Sequence, residues 1–205
     1  MGIERTRQAI DTDLPWLSAL LAHTGARLVA SHSYGALLAL RWVLANPGGL
    51  RGLVLAEPIA WGLIRDESAT DPAFVEHEGC MKKFEQGEQQ QAMEWLINYW
   101  NGAPFWQSLP EKVRVGLLAG ADRTAAEVQS GNADRTHPRE VADLRLKVQV
   151  LAGSRTTPQS LQVQRRLSRE IPGSELILLP EAGHQFLRTH PDIVAAAIRR
   201  VAKEG

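Results

Sequence analysis

Apolar positions recur at helical spacing early in the chain. Leu14, Leu17, Leu20 and Leu21 share one face, and Gly25 follows as a stop. Residues 3–24 are therefore expected to be helical, with Pro15 marking a kink or a second start. The apolar run Leu28-Val29-Ala30 then predicts a buried strand over 27–31. Ala36 to Leu44 is apolar almost throughout and predicts a buried helix reaching about Asn46, where Pro47-Gly48-Gly49 breaks it. A second apolar run, Leu50 to Ala56, predicts a strand that ends at Glu57-Pro58.

The pattern changes over 62–140. Helical stretches recur at Phe74 to Phe84, Gln89 to Trp100 and Glu111 to Leu118, and no β-branched run interrupts them. This segment reads as a helical lid inserted into a core made of 1–61 and 141–205. Aromatic residues gather at Trp95, Tyr99, Trp100, Phe105 and Trp106. Such rings serve lid packing and line apolar pockets, and the pattern fits both. After 140 the strand–helix rhythm returns: strand 148–152, helix 159–170, strand 175–179 and helix 191–203. Strands alternating with helices imply an α/β protein with a parallel sheet, here of four strands, flanked by helices.

Composition narrows the partners. The 205 residues suffice for one sizeable core, and the formal net charge is zero with no basic stripe, so nucleic acid is not an expected partner. Cys80 is the single cysteine, so no internal disulfide is expected. No apolar run approaches a membrane span, and Met1-Gly2-Ile3-Glu4-Arg5 shows no apolar signal region. A cytoplasmic protein with no membrane partner is the expectation. His23, His77 and His137 have no metal-ligand spacing with Cys80 or with carboxylates, so no metal is expected. No Gly-rich phosphate loop is present.

The candidate chemistry begins at Ser31-His32-Ser33-Tyr34-Gly35, between the first strand and its helix. A small-x-Ser-x-small turn in that setting reads as a nucleophile elbow, in which the central Ser33 takes a strained conformation and its hydroxyl stands above the sheet edge. Small residues at 31 and 35 are expected because strand and helix pass close together. His32 occupies the variable position and is read as packing. Gly183-His184 follows the last strand, where a base reaches back to a nucleophile on the same edge of a parallel sheet.

These features together resemble the α/β-hydrolase superfamily, specifically its lidded esterase- or lipase-like members. The elbow, Leu53 to Pro58 (LVLAEP), Asn98 to Gly102 (NYWNG) and Leu179 to His184 (LPEAGH) carry the resemblance, which extends from about residue 10 onward. It implies a serine hydrolase in which Ser33 attacks, His184 shuttles the proton and the backbone N–H of Tyr34 receives the oxyanion, with no cofactor. The chain departs from the family pattern twice. The loop Gly153 to Pro158, where most members place their acid, has no carboxylate. A second position known in the family, after the strand that follows the elbow helix, holds Glu57, which becomes the expected acid; the alternatives are Asp122, Asp134, or a Glu57 paired with Arg65. The three or four strands that usually precede the elbow strand, about 60 to 70 residues, are not found, nor is the loop that supplies a second oxyanion donor. The expectation is a truncated chain of reduced activity that self-associates through the outer edge of its first strand. The implied substrate is a small ester, lactone or amide, or a diketone cleaved at a C–C bond. The alternative is a non-catalytic fragment.

Overall fold

The structure, a computed structural model, describes residues 9–65 and 72–204, with side chains described at 9–65 and 79–204. The first six positions of the predicted opening helix, 3–8, lie outside the described residues. Helix α1 (Ala9–Thr24) runs unbroken through Pro15. Strand β1 (Leu28–His32), helix α2 (Tyr34–Ala45) and strand β2 (Gly52–Ala56) follow. Among the described residues a short 3-10 helix (Trp61–Leu63) and six α-helices come next: α3 (Pro72–Glu85), α4 (Gln89–Asn101), α5 (Phe105–Ser108), α6 (Glu111–Ala119), α7 (Ala121–Ala133) and α8 (Pro138–Ala142). The chain closes with β3 (Lys147–Gly153), α9 (Pro158–Glu170), β4 (Glu175–Leu179), α10 (Phe186–Thr189) and α11 (Pro191–Glu204).

The four strands among the described residues form one sheet in the order β1-β2-β3-β4, and every neighbouring pair is parallel. Alternate residues point to opposite faces. Leu53, Leu55, Val148 and Val150 join the core shared with α2 and α9, while Val54, Ala56, Leu151 and Leu179 pack under α11 against Ala197 and Val201. Both faces of β2 are buried, which is why it reads as a continuous apolar run. Truncating a fully buried side chain such as Leu55 to alanine costs about 2–5 kcal/mol. Gly52 interrupts the run because α11 passes over it: a Cβ there would stand 2.4 Å from Val201 Cγ1.

Several boundaries differ from expectation by one or two residues; β3, for example, covers 147–153 rather than 148–152. β1 covers 28–32 rather than 27–31, because the turn consumes only Ser33 and leaves His32 paired opposite Ala56. β2 begins at Gly52 rather than Leu50, because Arg51 N–H instead closes the turn onto Arg27 C=O (2.7 Å). Helix α7 has no strong apolar period and buries chiefly small residues, Ala121, Ser130 and Gly131, with Val128. Gly131 meets Ile59 so closely that a Cβ would lie 2.8 Å from its Cδ1. No helix among the described residues is long and apolar enough to cross a membrane.

Candidate active site

Ser33 is the single residue between β1 and α2, and its backbone lies at φ 55°, ψ −122°. Non-glycine residues avoid this region, at a cost of order 1–3 kcal/mol. The surroundings enforce it. Ser33 N–H donates to Ala56 C=O (2.9 Å), and Ser33 C=O accepts from the amides of Ala36 (3.0 Å) and Leu37 (3.1 Å). The side chain makes no cap bond to α2, which leaves the hydroxyl for another partner. The first amides of α2, beginning with Tyr34, have no intrahelical acceptor and lie at the positive end of the helix dipole. One expectation is corrected here. A Cβ at Gly35 would sit 3.9 Å from Ser31 Cβ, an ordinary contact, so the approach of strand and helix is looser than the small-residue pattern implied.

Glu57 is the residue after β2, one register step beyond the pair His32–Ala56 and therefore beside Ser33. It too has a left-handed backbone, φ 44°. Its side chain is fully buried and accepts from Gly153 N–H (2.8 Å), Thr156 Oγ1–H (2.8 Å) and Ser160 Oγ–H (3.4 Å). His184 Nδ1 meets its Oε2 at 2.5 Å, and His184 Nε2 lies 3.1 Å from Ser33 Oγ. Burial opposes ionisation of Glu57, but the hydrogen bond and charge of His184 outweigh it, with Gly153 N–H and Thr156 adding to them. The carboxyl is held below the usual carboxylate range. An ionised Glu57 places the proton on Nδ1 and leaves Nε2 as the acceptor facing Ser33.

The loop after β3, which carries no acid, instead supplies donors to one through Gly153 and Thr156. Gly153 is required there: a Cβ would fall 2.2 Å from Ala182 C=O, in the loop that carries His184. The other candidate acids lie elsewhere. Asp134 accepts from Gly62 N–H (3.0 Å) and Thr136 Oγ1–H (2.7 Å), and Asp122 accepts from Gln89 (2.6 Å). Arg65 donates to Asn132 C=O. His137 accepts from Arg139 N–H (3.1 Å) at the start of α8. Among the described residues, no three His, Cys, Asp or Glu side chains gather as a metal ion would require.

Three contacts have no local sequence signal. His32 Nε2–H donates to His184 C=O (2.9 Å), with ring centroids 4.5 Å apart. Burial, then repulsion from His184, pushes the His32 ring down to about 4, so it stays neutral. The indole of Trp100, on α4, stacks on His184 with centroids 4.1 Å apart and planes 23° apart. Tyr34 Oη–H donates to Asp13 on α1 (2.8 Å), and Asp13 pairs with Arg123 on α7. A cavity of about 140 Å³ opens over Ser33 and His184, walled by Ile59, Leu96, Ile97, Trp100 and Val128, with Thr124, Glu127 and Gln185 also on its lining.

A parallel sheet whose first strand delivers a strained serine into a helix N-terminus, with a histidine arriving after the last strand, is the architecture of an α/β hydrolase. The sequence agrees: residues 4–197 match the alpha/beta hydrolase family, and the chain belongs to it. Solved structures share the fold at low identity. An α/β-hydrolase enzyme from a Medee basin deep-sea metagenome library superposes with a TM-score of 0.72 at 17% identity, covering 100% of this chain and 75% of its own. An esterase from Exiguobacterium antarcticum gives 0.70 at 16% identity, covering 94% and 74%. An esterase from Rhodococcus sp. gives 0.63 at 16% identity, covering 100% and 76%. No curated protein sequence matches the chain.

Proposed function

We propose that this chain is a serine hydrolase that transfers a small acyl group to water through Ser33, His184 and Glu57. The observation that carries the reading is His184 bridging Ser33 Oγ and a fully buried Glu57. Ser33 Oγ attacks the carbonyl carbon and its proton passes to His184 Nε2. The carbonyl electrons move to oxygen, where Tyr34 N–H receives the negative charge. Collapse expels the alcohol, which takes the proton from His184, and leaves an acyl-serine. Water then repeats the sequence with His184 as base and releases the acid. Glu57 holds the Nδ1–H tautomer and stabilises the imidazolium. None of these steps uses a metal or organic cofactor.

The cavity supports a substrate class. Its small volume and mixed walls, mostly apolar with Glu127 as an acid on the lining, suit a short acyl chain without negative charge in an ester or lactone, and the esterases among the structural neighbours accord with this. Residues 62–140, which include α3–α7, form the proposed lid over a core of 1–61 and 141–205. The test is hydrolysis of p-nitrophenyl esters from acetate to octanoate, with Ser33→Ala alongside. Turnover that prefers short chains and vanishes in Ser33→Ala is expected; turnover that survives Ser33→Ala overturns the mechanism. One observation favours a second reading, a chain that associates through its sheet. Among the described residues the outer side of β1 pairs with no strand, and Trp16 and Leu20 of α1, which precedes it in the chain, are exposed. Light scattering that shows a concentration-dependent oligomer in a chain without esterase activity would favour it.

A further inference from the structure

We propose that the indole of Trp100 stabilises the charged form of His184 during turnover. The inference rests on the reading of His184 as the general base. When Ser33 attacks, the neutral imidazole becomes an imidazolium. Its two nitrogens already face Glu57 and Ser33, so further stabilisation has to come through the ring face. Trp100 covers that face at 4.1 Å with planes 23° apart. A cation within about 6 Å of an indole centroid is attracted by the ring quadrupole, and the attraction grows when water is excluded. His184 is 3% exposed and Trp100 8%, so little water screens the pair.

The indole is held in place from its other contacts. Trp61, fully buried beside β2, stacks on it at 6.0 Å with planes 15° apart, and Tyr99 meets it edge-on at 5.0 Å. The second ring against His184, His32, is neutral and adds no competing positive charge. Neutral imidazole gains much less from the indole than imidazolium does. The contact therefore favours the transition state over the ground state, and acts on kcat rather than KM. It also makes a helix of the segment between β2 and β3 part of the electrostatics of the base. The sequence cluster of aromatic residues thus resolves into unequal members, one of which touches His184 while others pack around it.

The experiment replaces Trp100 site-specifically with mono-, di- and trifluorotryptophan, which drain the indole π face with little change of shape. Two rates are read: p-nitrophenyl acetate turnover, and covalent labelling by a fluorophosphonate. In labelling, the Ser33 Oγ–P bond forms, P–F breaks, fluoride leaves and the proton goes to His184. Both rates should fall stepwise with fluorination, reaching about 3- to 30-fold for the trifluoro variant, while KM stays within about twofold and the melting temperature holds. A packing role alone would leave both rates flat across the series, and that result overturns the inference. Ser33→Ala separates the two levels. If it abolishes labelling while the fluorinated series is flat, only the role of Trp100 falls; if it labels normally, the reading of the site falls with it.

Discussion

Glu57→Gln tests the proposed site most sharply, because it changes one atom of a buried group. The carboxylate now accepts from Gly153 N–H through Oε1 and from Thr156 and His184 through Oε2. An amide can keep only one of those faces as acceptor. Gly153 N–H is a fixed donor with no freedom to turn, so the glutamine oxygen goes there, and opposing it with an NH2 group would leave buried donors unpaired at about 1–3 kcal/mol. The NH2 then faces Thr156, whose hydroxyl can rotate to accept, and His184 Nδ1, which must also become an acceptor. The imidazole proton moves to Nε2 and points at Ser33 Oγ, so the base is lost while the fold stays. The corresponding change in serine hydrolase triads lowers kcat about 10⁴-fold, equivalent to about 5.4 kcal/mol of barrier. The assay is p-nitrophenyl acetate turnover normalised to folded protein by circular dichroism and thermal melting. A Glu57→Gln enzyme within tenfold of the parent would refute the assignment of the acid.

Acid stability offers a second check on the same residue. The folded pKa of Glu57 lies below its ordinary value of 4.5, so the folded state binds fewer protons than the unfolded one. Its contribution is complete above about pH 5–6 and is lost as pH falls through the folded value. Urea melts from pH 7 down to pH 3 should therefore show a shallower acid loss of stability in Glu57→Gln; parallel curves would contradict the depressed pKa. Gly153→Ala should destabilise the fold by about 1–3 kcal/mol and lower activity in step, because the new methyl displaces Ala182 in the loop bearing His184; urea denaturation unchanged from the parent would show that the loop yields freely. Arg123→Ala breaks ion pairs to Asp13 and Glu127 in which the arginine side chain is half exposed, and should cost about 1 kcal/mol or less. A larger loss in thermal melts would mean that the link from Arg123 to Asp13 carries more of the packing of α7 on α1 than its exposure implies.

The sequence exposes the sheet because β2, β3 and their neighbours are short apolar runs bounded by glycine and proline, and it offers Ser33 and His184 as candidates because each stands immediately after a strand or in its first loop, whereas Glu57 is reached through the family resemblance once the loop after β3 is seen to lack a carboxylate. A parallel sheet collects such positions at one edge whatever the intervening chain does. Helix α7 is hidden because it packs through alanine, serine and glycine, which leave no hydrophobic period. Trp100 is hidden among neighbouring aromatic rings: which one meets His184 depends on how α4 crosses the end of the sheet, and no spacing within 95–106 encodes that. The Asp13–Tyr34–Arg123 link joins positions separated by 21 and 110 residues, beyond any local pattern. His32 reads as packing from the sequence, and its ring contact agrees; its hydrogen bond to the carbonyl of His184 becomes visible only once β4 has been placed.

The separation of Ser33 from His184 has a consequence for biosynthesis. Their side chains meet across 151 residues of sequence, and synthesis at about 5–20 residues per second puts roughly 8 to 30 s between their appearances. Throughout that interval the emerging chain holds Ser33 and the apolar segments that flank it, but not the histidine proposed to accept its proton. On the proposed mechanism, a nascent chain that has not reached His184 lacks the base that activates Ser33. Reactivity is conferred in one step, when β4 docks and carries His184 over the edge of the sheet.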